Sequence, residues 1–241
     1  MAGLSSRFSM AGYKRPKYFL ELGNINLFQA SLKGFSKYFQ SDGFCFIFLE
    51  KFIDEDTIFC WANDIGLSKS NFTAIPLEHP TQGQADTVRL GIENCSSSRS
   101  LDDEVIIFNI DTMYNDFAKP DQSFQNYLDV TKLSGDHWSF VVADPKKPAQ
   151  AMHVEEKKRV SDLCSVGLYQ FSSGAEFMKA YDRSYSNSVS EQYVAPLYQS
   201  MLKDGQIIKF REFPPSRFSF LGTPKEYEEY IDKNNIYSGK N

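Results

Sequence analysis

Short apolar runs alternate with helix-period apolar stripes over the first 110 residues, and this alternation constrains the fold more than any other feature. Phe44-Cys-Phe-Ile-Phe-Leu49 is a continuous apolar run after the turn Ser41-Asp-Gly43, and it reads as a strand buried on both faces. Glu104-Val-Ile-Ile-Phe-Asn-Ile110 is a stronger strand signal, and it delivers Asp111 at its C-terminal end. Between these runs, Phe28, Leu32, Phe35 and Phe39 make one apolar stripe, which predicts a helix over 26–40 with Gly34 inside it at modest cost. Further helices are expected over 54–65 and 83–95, and a strand over 71–77. Strands alternating with helices imply an α/β, Rossmann-like three-layer αβα sandwich around a mixed, mostly parallel sheet.

The later half is less regular. A helix is expected over 122–132, strands over 138–143, 150–155 and 165–171, and a turn at Asp144-Pro-Lys-Lys-Pro148. Residues 173–181 read as helical. Ser188-x-x-Glu191 resembles a capping box opening a helix to about Lys203, with a kink or second start at Pro196. Thr223-Pro-Lys-Glu226 is a better capping box: threonine can cap, proline suits the first helical position and glutamate stands at the third.

Composition excludes several classes. A net charge of −5 and a pI of about 5.3 argue against nonspecific nucleic-acid binding. No apolar run approaches the ~20 residues of a membrane helix, and the N-terminus does not read as a signal peptide. The 21 phenylalanines make a sizeable core available. Cys45, Cys60, Cys95 and Cys164 form no C-x-x-C pair; Cys45 and Cys164, within apolar runs, read as small core hydrophobes. A reducing cytoplasm fits this usage, and His79, His137 and His153 read as structural or surface residues.

The N-terminal segment points to phosphate chemistry. Ala2-Gly-Leu-Ser-Ser-Arg7 is a turn of mostly small residues, whose backbone N–H groups can approach phosphate oxygens closely. Arg7 can fork onto a phosphate, and Lys17, ten residues on behind Pro16, can place a point charge on one. This segment resembles the signature loop of the nucleotidyltransferases (pyrophosphorylases) that make nucleotide sugars, which carry a G-x-G-x-R turn and then a P-K pair. Ser5 stands where the second glycine would be, a mild departure if its φ is negative. The family runs a buried strand directly into this loop, so a strand is expected before Met1.

The resemblance extends to about Tyr230 and implies one GT-A-like nucleotidyltransferase domain, with a nucleotide-binding half (1–120) and an acceptor-binding half (121–241). It implies that Ala2, Gly3, Leu4, Ser5 and Ser6 cradle the phosphates. Arg7, Lys17 and Asp111 would be catalytic, with Asp111 holding Mg²⁺. Pro80-Thr-Gln-Gly-Gln-Ala-Asp-Thr87 is similar to the loop against the nucleobase: Gly83 would admit the base, and Gln82 or Gln84 would read its edge. Glutamine offers both a donor and an acceptor, so the base does not follow. Glu155-Glu-Lys-Lys-Arg159 before Val166-Gly-Leu-Tyr-Gln-Phe171 resembles the acceptor-binding stretch, so Lys157 would contact the acceptor phosphate and Glu156 or Glu155 its polar groups, with Gly167 beside them and Glu191 a further contact. Many relatives carry a second metal-binding aspartate just before the Gly-Thr of Phe218-Ser-Phe-Leu-Gly-Thr-Pro224, where this chain has Phe220.

The implied reaction transfers a nucleoside monophosphate from an NTP to a phosphorylated small-molecule acceptor and releases pyrophosphate. The setting would be cytoplasmic capsule or lipopolysaccharide precursor synthesis, with no membrane or nucleic-acid partner and homo-oligomers allowed. Two rival readings are a GT-A glycosyltransferase using a nucleotide-sugar donor, although Asn109-Ile-Asp111 has one acid where D-x-D has two, and a non-catalytic nucleotide- or sugar-phosphate-binding regulatory domain.

Overall fold

A computed structural model describes residues 1–95, 101–121, 123–186 and 190–236. In chain order the elements are α1 (Ser6–Met10), β1 (Glu21–Leu22), β2 (Ile25–Asn26), α2 (Leu27–Lys33), β3 (Phe44–Leu49), α3 (Glu55–Asp64), β4 (Phe72–Leu77), α4 (Gln84–Cys95), β5 (Val105–Phe108) and β6 (Thr112–Tyr114). There follow β7 (Tyr127–Lys132), β8 (Ser139–Ala143), β9 (Ala151–Glu156), β10 (Leu163–Phe171), α5 (Gly174–Tyr185), α6 (Ala195–Lys203), β11 (Lys209–Glu212), β12 (Phe218–Phe220) and α7 (Pro224–Lys233). No helix among the described residues is long and apolar enough to cross a membrane.

The chain divides into two compact units. The first holds residues 1–80, 109–118 and those from Arg217 onward; the second holds 81–108 and 119–216. In the first unit β3 and β4 pair in parallel, while β1–β2 and β12–β6 pair antiparallel. Phe8, Leu20, Leu22, Leu27, Leu221, Tyr227 and Ile231 form one of its buried clusters. The short segment 109–118 therefore brings Asp111 into the same unit as the N-terminal loop.

Helix α2 starts as a capping box, with Asn26 accepting from Gln29 N–H and Gln29 Oε1 accepting from Asn26 N–H. It stops at Lys33, short of the expected residue 40, and a 3-10 turn follows over Ser36–Tyr38. Gly34 lies hard against the backbone of β6, where an added Cβ would sit 1.9 Å from the Tyr114 carbonyl oxygen. Its own carbonyl accepts from Phe117 N–H at 3.1 Å. Phe28, Leu32, Phe35 and Phe39 are all buried across this break, as the stripe required. Gly34→Ala is expected to cost about 3 kcal/mol, because backbone cannot yield as a side chain can, or roughly 10 °C in Tm for a chain of this size. Calorimetry showing a Tm within 2 °C of wild type would contradict this packing.

The second unit is built on a six-stranded sheet ordered β11-β7-β10-β8-β9, with β5 also pairing β10. Only β11–β7 is parallel in it. The architecture is thus mixed α/β, and among the described residues antiparallel pairings outnumber the parallel ones expected. The helix expected over 122–132 is strand β7 from Tyr127 on, while Gln122 lies outside the described residues. Five successive β7 positions are buried, and a central strand covered on both faces carries that continuous pattern. Ser188 of the expected capping box also lies outside the described residues; α6 begins later, at Ala195, with Pro196 in its first turn where proline is tolerated. Helix α7 has the expected capping box, with Thr223 accepting from Glu226 N–H. Cys45 is exposed, contrary to the reading of β3 as buried on both faces, whereas Cys164 is buried.

Candidate active site

The first unit gathers the N-terminal loop, Lys17 and Asp111. Ala2 is buried, while Gly3 is exposed with nothing within 4 Å of an added Cβ. Leu4 is 51% exposed. Ser5 has φ 50° and ψ 37°, so the turn is left-handed and the condition of a negative φ is not met. Serine there costs about 1 kcal/mol relative to glycine. The hydroxyl supplies a compensation that glycine lacks, because Ser5 Oγ accepts from Lys17 N–H at 3.2 Å and ties the loop to the lysine segment. Ser6 opens α1, which carries Arg7 exposed on its surface and anchors through the buried Phe8.

Lys17 opens a 3-10 turn behind Pro16 and donates from Nζ to Asp111 Oδ2 at 2.6 Å; the two side chains are 25% and 21% exposed. Burial pushes the Asp111 carboxyl up, but the Lys17 ammonium, its hydrogen bond and the more distant Arg7 outweigh this, so the carboxyl lies below its ordinary value. Strand β5 ends at Phe108, and Asp111 follows in a turn rather than on the strand. Its backbone is pinned: Leu221 N–H donates to Asp111 C=O at 2.8 Å, and Ser31 Oγ donates to Ile110 C=O at 2.6 Å.

The second unit contains the two other predicted groups. Gln82 N–H donates to Asp86 Oδ2 at 3.0 Å, and Gln192 joins the loop twice, through its backbone N–H to Gln82 C=O and its Nε2 to Gln82 Oε1, both at 2.9 Å. Gly83 has φ 151°, and an added Cβ would meet the Gln192 backbone at 2.4–2.9 Å, so this glycine permits a close backbone contact within the protein. Gln84 begins α4. Two of the residues expected at the acceptor, Lys157 and Glu191, lie close together, and the Lys157 φ of 55° turns the chain sharply after β9. Lys157 Nζ lies 4.2 Å from the Tyr193 ring centroid, donates to the Tyr193 hydroxyl and stands 3.7 Å from Glu191 Oε2. The Tyr193 hydroxyl donates to Glu191.

Glu156 accepts from Ser139 Oγ, whose oxygen lies 3.3 Å from the Tyr169 hydroxyl. Burial pushes the Glu156 carboxyl up, the Ser139 bond and Lys157 pull it down, and Glu191 adds to the rise. Burial, with the Glu156 charge, pushes Tyr169 up to about 12. Gly167 has φ 82° and sits where β10 slips register against β7. Sequence reading paired neither Tyr193 with Lys157 nor Gln192 with Gln82, because these partners lie 36 and 110 residues apart.

Solved structures share the fold of this chain. A nucleoside-diphosphate-sugar pyrophosphorylase from Vibrio cholerae RC9 is 34% identical, with a TM-score of 0.88 over 96% of this chain and 98% of that one. The chain belongs to the nucleotidyltransferase family. The inositol-1-phosphate CTP transferase from T. maritima, 15% identical with a TM-score of 0.73 over 97% of this chain and 92% of that one, shares the fold with this nucleotidyltransferase. No family model and no curated protein matches it.

Phe220, where the resemblance implied a second metal-binding aspartate, pairs with Thr112 in the β12–β6 ladder. The Asp111 side chain is 21% exposed. A Cβ on Gly222 would come 3.0 Å from Asp111 Oδ2 and 3.6 Å from Glu226 Oε2, so glycine keeps a side chain from crowding either carboxylate. A partly exposed, ionised carboxylate is a hard oxygen donor of the kind Mg²⁺ takes, and Mg²⁺ keeps several waters where protein ligands are few.

Proposed function

We propose that the enzyme transfers a nucleoside monophosphate from an NTP to a phosphorylated small-molecule acceptor, a sugar phosphate or similar, and releases pyrophosphate. The observation that carries this reading is the Lys17–Asp111 pair at 2.6 Å, tied by Ser5 to a loop with exposed small residues. An acceptor phosphate oxygen forms the new bond to the α-phosphorus as the bond to the β-phosphate oxygen breaks. Pyrophosphate leaves with that electron pair. Such a transfer asks a protein chiefly to position two anions and to stabilise the charge that develops between them.

Each residue has a role suited to its chemistry. Lys17 holds the α-phosphate, since its ammonium has three donors and Asp111 occupies one. Arg7 forks onto the β- and γ-phosphates. Residues Ala2 to Ser6 offer backbone N–H groups to the same oxygens. Asp111 holds Mg²⁺, which when bound would neutralise phosphate charge. Gln82, Gly83 and Gln84 form the nucleobase loop, and Lys157 meets the acceptor phosphate with Glu156, Gly167 and Glu191 around it. The Phe-x-Phe-Leu-Gly-Thr-Pro form favours capsule or lipopolysaccharide precursor synthesis, and NTP as substrate favours a cytoplasmic setting.

Lys157→Met tests the acceptor assignment. The acceptor KM is expected to rise at least about ten-fold, the loss of one charge-assisted contact, while NTP affinity stays within two-fold. An unchanged acceptor KM would remove Lys157 from the site.

A further inference from the structure

The end of a glutamine side chain holds a donor and an acceptor that only its neighbours distinguish. Gln82 has such neighbours. Gln192, 3% exposed, donates from Nε2 to Gln82 Oε1 at 2.9 Å. The Gln192 amide is itself oriented, because its Oε1 accepts from the Tyr181 hydroxyl at 2.5 Å, a separation suited to O–H···O and too short for N–H···O. Tyr181 is 8% exposed and lies against Asp86, whose Oδ1 is 3.4 Å from the hydroxyl. Asp86 accepts only, and Arg89 holds its Oδ1 through Nε at 3.1 Å and Nη2 at 2.8 Å.

The backbone closes the clamp, since Gln192 N–H donates to Gln82 C=O and Ala85 N–H donates to Gln192 C=O, each at 2.9 Å. Gly83 allows this approach by lacking a side chain. With Oε1 occupied, the exposed end of Gln82 is Nε2, which has no hydrogen-bond partner among the described residues.

We propose that Tyr181 and Gln192 are positioning residues that fix the polarity of Gln82, making it a hydrogen-bond donor to the nucleobase. The base atom facing it is then an acceptor, a carbonyl oxygen or an unprotonated ring nitrogen, and an exocyclic amino group at that place is rejected. This inference rests on the reading of the Gln82–Gln84 loop as the base-contacting loop.

The test uses the full chain and titration calorimetry with ATP, CTP, GTP, UTP and dTTP, without acceptor. Gln82→Ala is expected to weaken the tightest NTP about ten-fold and the others less. Gln82→Glu places an acceptor where the donor stood. It should shift preference away from the tightest NTP further than Gln82→Ala does, and the ratio between NTPs cancels the repulsion between the new carboxylate and the triphosphate.

Tyr181→Phe keeps the Asp86–Arg89 pair but releases the Gln192 amide, and should cut the ratio of best to second-best Kd several-fold while lowering Tm by a few degrees, the effect of one buried acceptor left without its donor. Gln192→Leu should act in the same direction with a lower Tm. If Gln82→Ala leaves every NTP unchanged, the base-loop reading itself fails. If Gln82→Ala weakens binding but Gln82→Glu preserves the wild-type preference, the donor assignment is overturned. A wild-type ratio in both Tyr181→Phe and Gln192→Leu overturns the relay.

Discussion

Lys17→Ala is expected to lower kcat/KM for pyrophosphate release by about 10²–10³, the usual loss when one preorganised donor to developing charge is removed. The lysine's ammonium touches Asp111 at 2.6 Å, and its backbone N–H meets Ser5 of the loop, so one residue joins the carboxylate to the phosphate cradle. Stability should change little, because the pair is partly exposed and such pairs contribute about 0–1 kcal/mol. Lys17→Arg is expected not to restore the rate, since a planar fork cannot replace a compact point charge shared between a carboxylate and a phosphate. A value within a few-fold of wild type for Lys17→Ala would show that the α-phosphate is held by something else.

Arg211→Met should have the largest effect on stability. Arg211 on β11 grips Asp129 on β7 with two bonds of 2.7 Å, from Nε to Oδ1 and from Nη2 to Oδ2. The Asp129 side chain is wholly buried, and the arginine is 14% exposed. Removing the guanidinium leaves a buried carboxylate without its main counter-charge, which costs about 3–5 kcal/mol, or roughly 10–15 °C in Tm. The double change Asp129→Leu with Arg211→Met should recover much of that loss, because a buried pair is costly to break but often replaceable by apolar packing. A single Arg211→Met variant melting within 2 °C of wild type would show that the pair contributes little.

Local chemistry made many elements legible. The stripe Phe28–Leu32–Phe35–Phe39 identified the residues buried along α2 and the 3-10 turn after it, and Thr223-Pro-Lys-Glu226 identified the start of α7, because caps and periodicity act within a few residues. The end of α2 was not legible. Nor was the close approach of the Tyr114 carbonyl, eighty residues away in sequence, to Gly34 just past that end. Strand β7 was misread as helix because burial on both faces removes alternation, leaving a short run whose period does not discriminate. The two-residue and three-residue strands β1, β2, β6 and β12 carry too few side chains to show any period.

The same distinction applies to the candidate site. Arg7, Lys17 and Asp111 stood out as charged residues beside small-residue or strand-end signals. The Lys17–Asp111 contact did not, because nothing in either local sequence names a partner 94 residues away. Tyr181, Gln192 and Tyr193 are an ordinary tyrosine, glutamine and tyrosine until the fold sets them against Asp86, Gln82 and Lys157. Ser5 shows the converse. The sequence marked the departure from glycine, and the structure shows both its left-handed backbone and the hydroxyl bond to Lys17 that offsets it.

The most direct test of the account is pyrophosphate release by the full chain in Mg²⁺, with each NTP offered against a panel of sugar phosphates and other small phosphorylated acceptors. The account predicts release with one NTP–acceptor pair, dependent on both substrates together and lost in Asp111→Asn. NTP binding without release for any pair, or release that needs no acceptor, would contradict it.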